Sequence, residues 1–231
     1  IVRRAADVVY VTSEPDVKRF APKPVVVVRG GVDTTESEAY LRSSGIVPVG
    51  QRKYDAVFMG RLHYQKGALL LVDIWREVVA KRPGAKLAMI GHGPLEAEIR
   101  AKIREFGLGP NIEMLGFLSG QPKYEVFKQS RIVLHPATYD SGGMASAEAM
   151  AWGLPAVSFD LESLRTYYPK GMVKVARTGD CQGFAAETLR LLENEQRYGE
   201  VRGEALELIR ESWEWRKRAR DIWVETFQRG I

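Results

Sequence analysis

A single cysteine, Cys181, stands among 231 residues, so no intramolecular disulfide can form. It reads as a core or helix-start residue, and a cytosolic setting is the default expectation. Three histidines without a cysteine cluster argue against a structural zinc site. No uninterrupted apolar run approaches the ~20 residues that cross a bilayer. The chain opens on Ile1 with no signal-peptide pattern behind it, which is expected of a fragment edge or a processed end. No sign of charge dominates: 34 Lys and Arg stand against 29 Asp and Glu, a formal +5 with both signs mixed along the chain. Such a surface is mostly solvated and accommodates a phosphate-bearing ligand. The cations lie in scattered turns rather than in a stripe with aromatics, which argues against a nucleic-acid partner.

What is there is a globular composition, 45% hydrophobic and 27% charged. The length fits one large domain, or one domain with part of another. "AADVVYVTSE" reads as a short strand ending at Thr12-Ser13, and Val25 to Val28 as a second strand before a glycine turn. Residues 33–51 are mixed and read as a linker that can hold a short helix. From "DAVFMG" onward strands and amphipathic helices alternate: "KGALLLVDIWREVVAKRPG", "PLEAEIRAKIREFGL", "PKYEVFKQS" and "MASAEAMAWG" are helices, and "AKLAMIG", "IEMLGF", "RIVLHPA", "LPAVSF" and "GMVKVA" are strands. These strands are apolar throughout, as in a parallel sheet covered on both faces. The fold class expected is α/β, a Rossmann-like parallel sheet with helices on both faces.

In such a sheet ligands bind outside the carboxyl ends of the strands, and the unusual residues fall there. Gly60 permits a close turn and Arg61 offers planar donors to a phosphate. Lys66, near a helix start, adds a flexible cation. Gly91 and Gly93 form a G-x-G without the third glycine of a dinucleotide fingerprint. They allow backbone to approach a ligand, or simply tight packing. Phe117 and Leu118 follow the third strand of the unit. Asp140 and Glu148 bracket Gly142, Gly143 and Met144. Free amides at Gly142-Gly143, at a helix start, would suit phosphate oxygens, and the two carboxylates would suit sugar hydroxyls. His63 and Tyr139 are loop residues able to line a pocket, His135-Pro136 reads as a strand-end turn, and Tyr124 as core or helix surface.

Together these segments resemble the family 4 retaining glycosyltransferases, which have two facing Rossmann-like domains (GT-B). The resemblance rests on Gly60-Arg61-Leu62 through Lys66-Gly67, on Ile90 to Pro94, and on the carboxylate pair spaced by seven residues and followed by "AMAWGLPAV". Gly30-Gly31-Val32-Asp33 resembles the crossing between the domains. It implies that this chain is the carboxyl-terminal, donor-binding half: residues 1–35 a remnant of the amino-terminal domain and the crossing strand, 36–52 a linker, 53–210 the nucleotide-sugar domain, and 211–231 a final helix returning toward the missing domain. It further implies that Arg61 and Lys66 bind diphosphate, Glu148 the ribose, Asp140 the donor sugar, and Gly143 with Met144 supply amides. Transfer would retain anomeric configuration without a metal or other cofactor, and the donor's phosphate would help take the acceptor's proton. Two positions depart from the family pattern: Asp140 is one methylene shorter than the usual glutamate, and Gly142 replaces a phenylalanine.

The expected partner is a nucleoside-diphosphate sugar, with an unknown acceptor. The fragment alone is expected to bind donor without transferring. The expected location is cytoplasmic, with peripheral attachment at the inner membrane surface open for a longer form. Alternatives are a non-catalytic nucleotide or sugar-phosphate module, or a related epimerase or phosphorylase. Trp215, Ala219, Ile222, Trp223 and Phe227 make one apolar face on the last helix. That face either covers the domain's own sheet or stands open and promotes self-association.

Overall fold

The computed structural model describes residues 8–11, 17, 20, 22, 24–28 and 30–227. Two short parallel strands, β1 (Val9–Val11) and β2 (Val25–Val27), form a sheet of their own. The expected strand end at Thr12-Ser13 lies outside the described residues. Helix α1 (Thr35–Arg42) follows. Then come β3 (Tyr54–Met59), α2 (Ala68–Lys81), β4 (Leu87–Ile90), α3 (Glu96–Glu105), β5 (Ile112–Gly116), α4 (Gly120–Lys128), β6 (Ser130–His135), α5 (Met144–Ala151), β7 (Ala156–Phe159), α6 (Glu162–Tyr167) and β8 (Met172–Val175). Three helices end the chain: α7 (Cys181–Glu193), α8 (Glu195–Ser212) and α9 (Trp215–Phe227). Cys181 is the first residue of α7, half-buried and unpaired.

The main sheet has six parallel strands in the order β5-β4-β3-β6-β7-β8. Its two faces carry separate cores. Ala56, Phe58, Leu87, Met89, Ile132 and Leu134 point to one; Val57, Ala88, Ile90 and Val133 point to the other. Period-two alternation with burial on both sides explains why the strands read as unbroken apolar runs. Helix α2 seals one face with Leu71, Val72, Ile74, Trp75 and Val78, all without exposed surface. Each such side chain contributes on the order of 1.5–3 kcal/mol of burial. On the other face α5 buries Met150 together with Ser146, Ala147, Ala149 and Ala151, four small residues that let it lie close to β6 and α8.

Strand order reverses between β3 and β6, and the carboxyl side of such a reversal is where open parallel sheets form their ligand crevice. The stretch expected as a linker able to hold a short helix does hold one, α1, and it is packed: Ser37 is buried, Tyr40 packs on Trp152 with centroids 5.7 Å apart, and the Tyr40 hydroxyl accepts the Val47 amide at 2.9 Å. At the chain end the expected apolar face is open. Trp215 (52%), Trp223 (60%) and Phe227 (64%) are exposed, while Thr226 turns inward and its hydroxyl meets that of Tyr10 at 2.8 Å. Among the described residues no helix is long and apolar enough to cross a membrane.

Candidate functional site

The loops at the carboxyl edge continue the sheet's hydrogen bonding. The Gly60 amide donates to Ile90 O at 3.0 Å, and the Gly91 amide to Gly116 O at 2.7 Å. Gly91 has φ +138°, and a Cβ there would stand 1.9 Å from Gly60 O; one at Gly93 would stand 2.5 Å from Leu62 O. Both glycines are therefore required by loop-on-loop packing. Phe117 points to solvent, 68% exposed, edge-on to His92 at 5.8 Å, whereas Leu118 packs inward. Arg61, next to Gly60, is exposed, and none of the ion pairs or side-chain hydrogen bonds among the described residues involves its guanidinium.

The turn Tyr64–Lys66 is capped by His63, whose Nδ1 accepts the Gln65 amide at 3.3 Å. Gln65 O in turn accepts the amides of Thr138 and Tyr139, which holds this turn against the loop after β6. Across that junction Lys66 Nζ lies 2.6 Å from Asp140 Oδ2. The other carboxylate oxygen, Oδ1, accepts the amides of Gly142 at 3.0 Å and Gly143 at 2.8 Å. The sequence reading left these amides free for phosphate; here both are taken by Asp140. A carboxylate one methylene shorter folds back onto its own loop and is only 9% exposed.

His135 Nε2 lies 3.0 Å from Asp140 Oδ2, close enough to pair electrostatically when protonated, though the ring is turned off the hydrogen-bond axis. Burial alone would raise the Asp140 carboxyl. His135, the Lys66 ammonium and the Gly142 amide outweigh it and hold the group far below the usual carboxylate range. From beneath, Ser163 Oγ donates to Asp140 O, and the Tyr168 hydroxyl donates to Gly142 O at 3.0 Å and Gly143 O at 2.7 Å. Burial pushes that phenol well above its ordinary value, so it remains a donor. Gly143, at φ +61°, opens α5.

Glu148 sits further along α5 and pairs with Lys123 Nζ at 2.5 Å, at the side facing α4. Met144 is 38% exposed, and its Sδ lies 2.1 Å from where a Gly30 Cβ would be, which seats the crossing segment beside the helix start. Lys66, Asp140, Gly142 and Gly143 thus meet in one cluster, with Gly60, Arg61, Gly91, Gly93 and Phe117 on the adjoining loops. No described hydrogen bond links Glu148 to that cluster. Lys123, Ser163 and Tyr168 escaped the sequence reading, and His135 appeared there only as a turn; no motif marks any of them. Among the described residues no group of three or more His, Cys, Asp or Glu could hold a metal ion.

The family described as Glycosyl transferases group 1 matches residues 53–194, more than half of the chain. The chain belongs to the group 1 glycosyl transferases. Among the chain's relatives, the O-antigen chain mannosyltransferase C of Escherichia coli is 28% identical over 203 residues, 83% of this chain and 52% of that protein. The amylovoran biosynthesis glycosyltransferase AmsD of Erwinia amylovora is 32% identical over 113 residues, 48% of this chain and 31% of that protein. The matched region thus spans about a third to a half of these relatives' length. Of solved structures, a TarM variant of S. aureus in complex with fondaparinux, alpha-GlcNAc-glycerol and UDP superimposes with TM-score 0.81 at 18% identity. That match covers 98% of this chain and 45% of TarM. HepE of Anabaena in complex with UDP and glucose gives 0.78 at 18% identity, covering 100% of this chain and 65% of HepE. The chain therefore has an α/β Rossmann-like fold consistent with one half of a GT-B protein.

Proposed function

We propose that this chain is the carboxyl-terminal, donor-binding half of a retaining glycosyltransferase that moves a sugar from a nucleoside diphosphate to an acceptor. One observation carries the reading: Arg61, exposed and without an ion-pair partner among the described residues, and the ammonium of Lys66 stand on the loops after β3, at the carboxyl side of the sheet's reversal point. Arg61 binds the diphosphate through its planar fork. Lys66 has three donors and Asp140 occupies one, so two remain for phosphate oxygens. Together they stabilise charge on the departing diphosphate. Asp140 positions the Gly142-Gly143 loop, and Glu148 binds the ribose in exchange for, or beside, Lys123. The complexes of TarM and HepE with UDP support a uridine nucleotide as the first donor to try. Acceptor binding belongs to the amino-terminal domain, of which residues 1–35 are the remnant, and the isolated chain binds donor without turnover.

Titration calorimetry with UDP, GDP and ADP tests this. At least one should bind. Arg61→Ala should weaken it roughly 30-fold, about 2 kcal/mol, as for a hydrogen bond to a charged group. Glu148→Ala should weaken the nucleoside diphosphate but not pyrophosphate. No binding at millimolar concentration, or indifference to Arg61→Ala, would refute the reading.

A further inference from the structure

The amino edge of the main sheet, opposite the crevice, collects arginines. Arg52 lies just before β3 and is 8% exposed. Its Nη1 donates to Ser130 O at 2.8 Å and its Nε to Val47 O at 3.3 Å. Arg131, the next residue of β6, gives Nη1 to Asp55 Oδ1 at 3.2 Å and Nη2 to Leu192 O at 2.7 Å. Tyr198 on α8 donates its hydroxyl to Arg131 O at 3.0 Å. One turn further along α8, the Arg202 guanidinium lies against Gly153, where a Cβ would meet its Nε and Nη2 at 3.1 Å. Gly153 precedes β7, the neighbour of β6, so all four side chains gather at one edge.

Negative charge is scarce in this cluster. Asp55 serves Arg131, Arg82 and the Lys86 amide. None of the ion pairs among the described residues involves Arg52 or Arg202, and the groups acting on Arg52 are the phenols of Tyr198 and Tyr40 and the other two arginines. The Nε atoms of Arg131 and Arg202 are buried without a hydrogen-bond partner. A guanidinium stays charged at any ordinary pH, and burying it without a counter-charge is unfavourable. Three guanidinium groups set against one shared carboxylate leave an excess of positive charge that suits a dianion.

We propose that Arg52, Arg131, Arg202 and Tyr198 form a second anion site that takes a phosphoryl group or a similarly compact tetrahedral oxyanion. The donors left for it are the Nε–H of Arg131 and the guanidinium of Arg202, whose planar fork matches phosphate oxygens. A bound anion would tie β3, β6 and α8 together. The site is separate from the donor crevice, and its existence does not depend on the proposed transferase reading.

The test uses inorganic phosphate against chloride at matched ionic strength, read by thermal unfolding and calorimetry of the 231-residue chain. Phosphate should raise the melting temperature by roughly 3 °C at ten times its half-saturating concentration, by mass action on the folded state. Arg202→Gln should lose at least tenfold in phosphate affinity while keeping its affinity for UDP. Arg61→Ala, which alters the crevice, should keep the phosphate response. Should Arg202→Gln fold too poorly to titrate, Arg202→Lys keeps the charge but loses the fork and should bind at least threefold more weakly. The proposal is overturned by no phosphate response, by an equal response to chloride, by loss in Arg61→Ala with retention in Arg202→Gln, or by unchanged affinity in Arg202→Lys. A chain that binds phosphate here but no nucleotide leaves this site standing and removes the donor reading.

Discussion

Asp140 is the most heavily partnered carboxylate in the crevice, and its environment sets a pH dependence. Its folded-state carboxyl is held below the unfolded value near 3.9 by His135, Lys66 and two amides. A depressed carboxyl stabilises the fold above the unfolded value and loses that contribution as pH falls below it. Asp140→Asn would leave Lys66 half-buried beside a neutral amide and should cost about 2–3 kcal/mol at pH 7. Urea titrations should show this deficit still present at pH 5, then shrinking once the pH drops below the ordinary carboxylate range. A deficit that vanished between pH 7 and 5 would mean that Asp140 is not held in this way. Neither the partners nor the direction of this carboxylate is legible in the sequence. The amides it accepts lie two and three residues on, and the residues that fix the loop from below, Ser163 and Tyr168, stand 23 and 28 positions later.

Elements were more legible than side-chain partners. The runs that became β3, β4, β6 and β7 are buried on both faces, so composition alone identifies them, and parallel pairing then places the loops that carry Gly60, Gly91 and Gly142-Gly143 at one edge. The segment "TESEAYLR" was obscure because α1 is short and docks mainly through Ser37 and Tyr40 rather than through an apolar stripe. Gly67 shows what the motif glycines do. It has φ +66°, and a Cβ would stand 1.9 Å from Pro136 O. Gly107 has nearly the same φ, +65°, with nothing within 4 Å. Gly107→Ala should therefore cost about 1 kcal/mol from backbone conformation alone, and Gly67→Ala clearly more, roughly 3 kcal/mol once the clash moves the loop after β6. Gly67→Ala should also weaken nucleotide binding, since Lys66 moves with it. Equal costs at the two positions in denaturant unfolding would contradict the close approach.

At the scale of the whole molecule, the crossing segment and the chain end are fastened together beside the site. The Val32 amide donates to Trp213 O at 2.8 Å, and the Trp215 amide returns to Val32 O at 3.0 Å. Trp213 is fully enclosed and stacks on Tyr168 at 5.1 Å, the residue that holds the Gly142-Gly143 carbonyls. Beyond this clasp α9 lies beside β2 and carries Trp215, Trp223 and Phe227 to the surface, Trp223 and Phe227 in contact at 4.4 Å. Helical spacing made an apolar face legible in the sequence but not its direction, which Thr226 sets by turning toward Tyr10. Exposed aromatics grouped in this way favour association in water. The isolated chain should therefore show concentration-dependent dimerisation in sedimentation equilibrium. Trp223→Glu with Phe227→Glu should weaken it at least tenfold without changing the melting temperature by more than about 2 °C, because both side chains lie outside the core. A wild-type chain that stays monomeric at 100-fold the concentration that suffices for calorimetry, or a doubly substituted chain that associates equally well, would show that this face does not drive the contact.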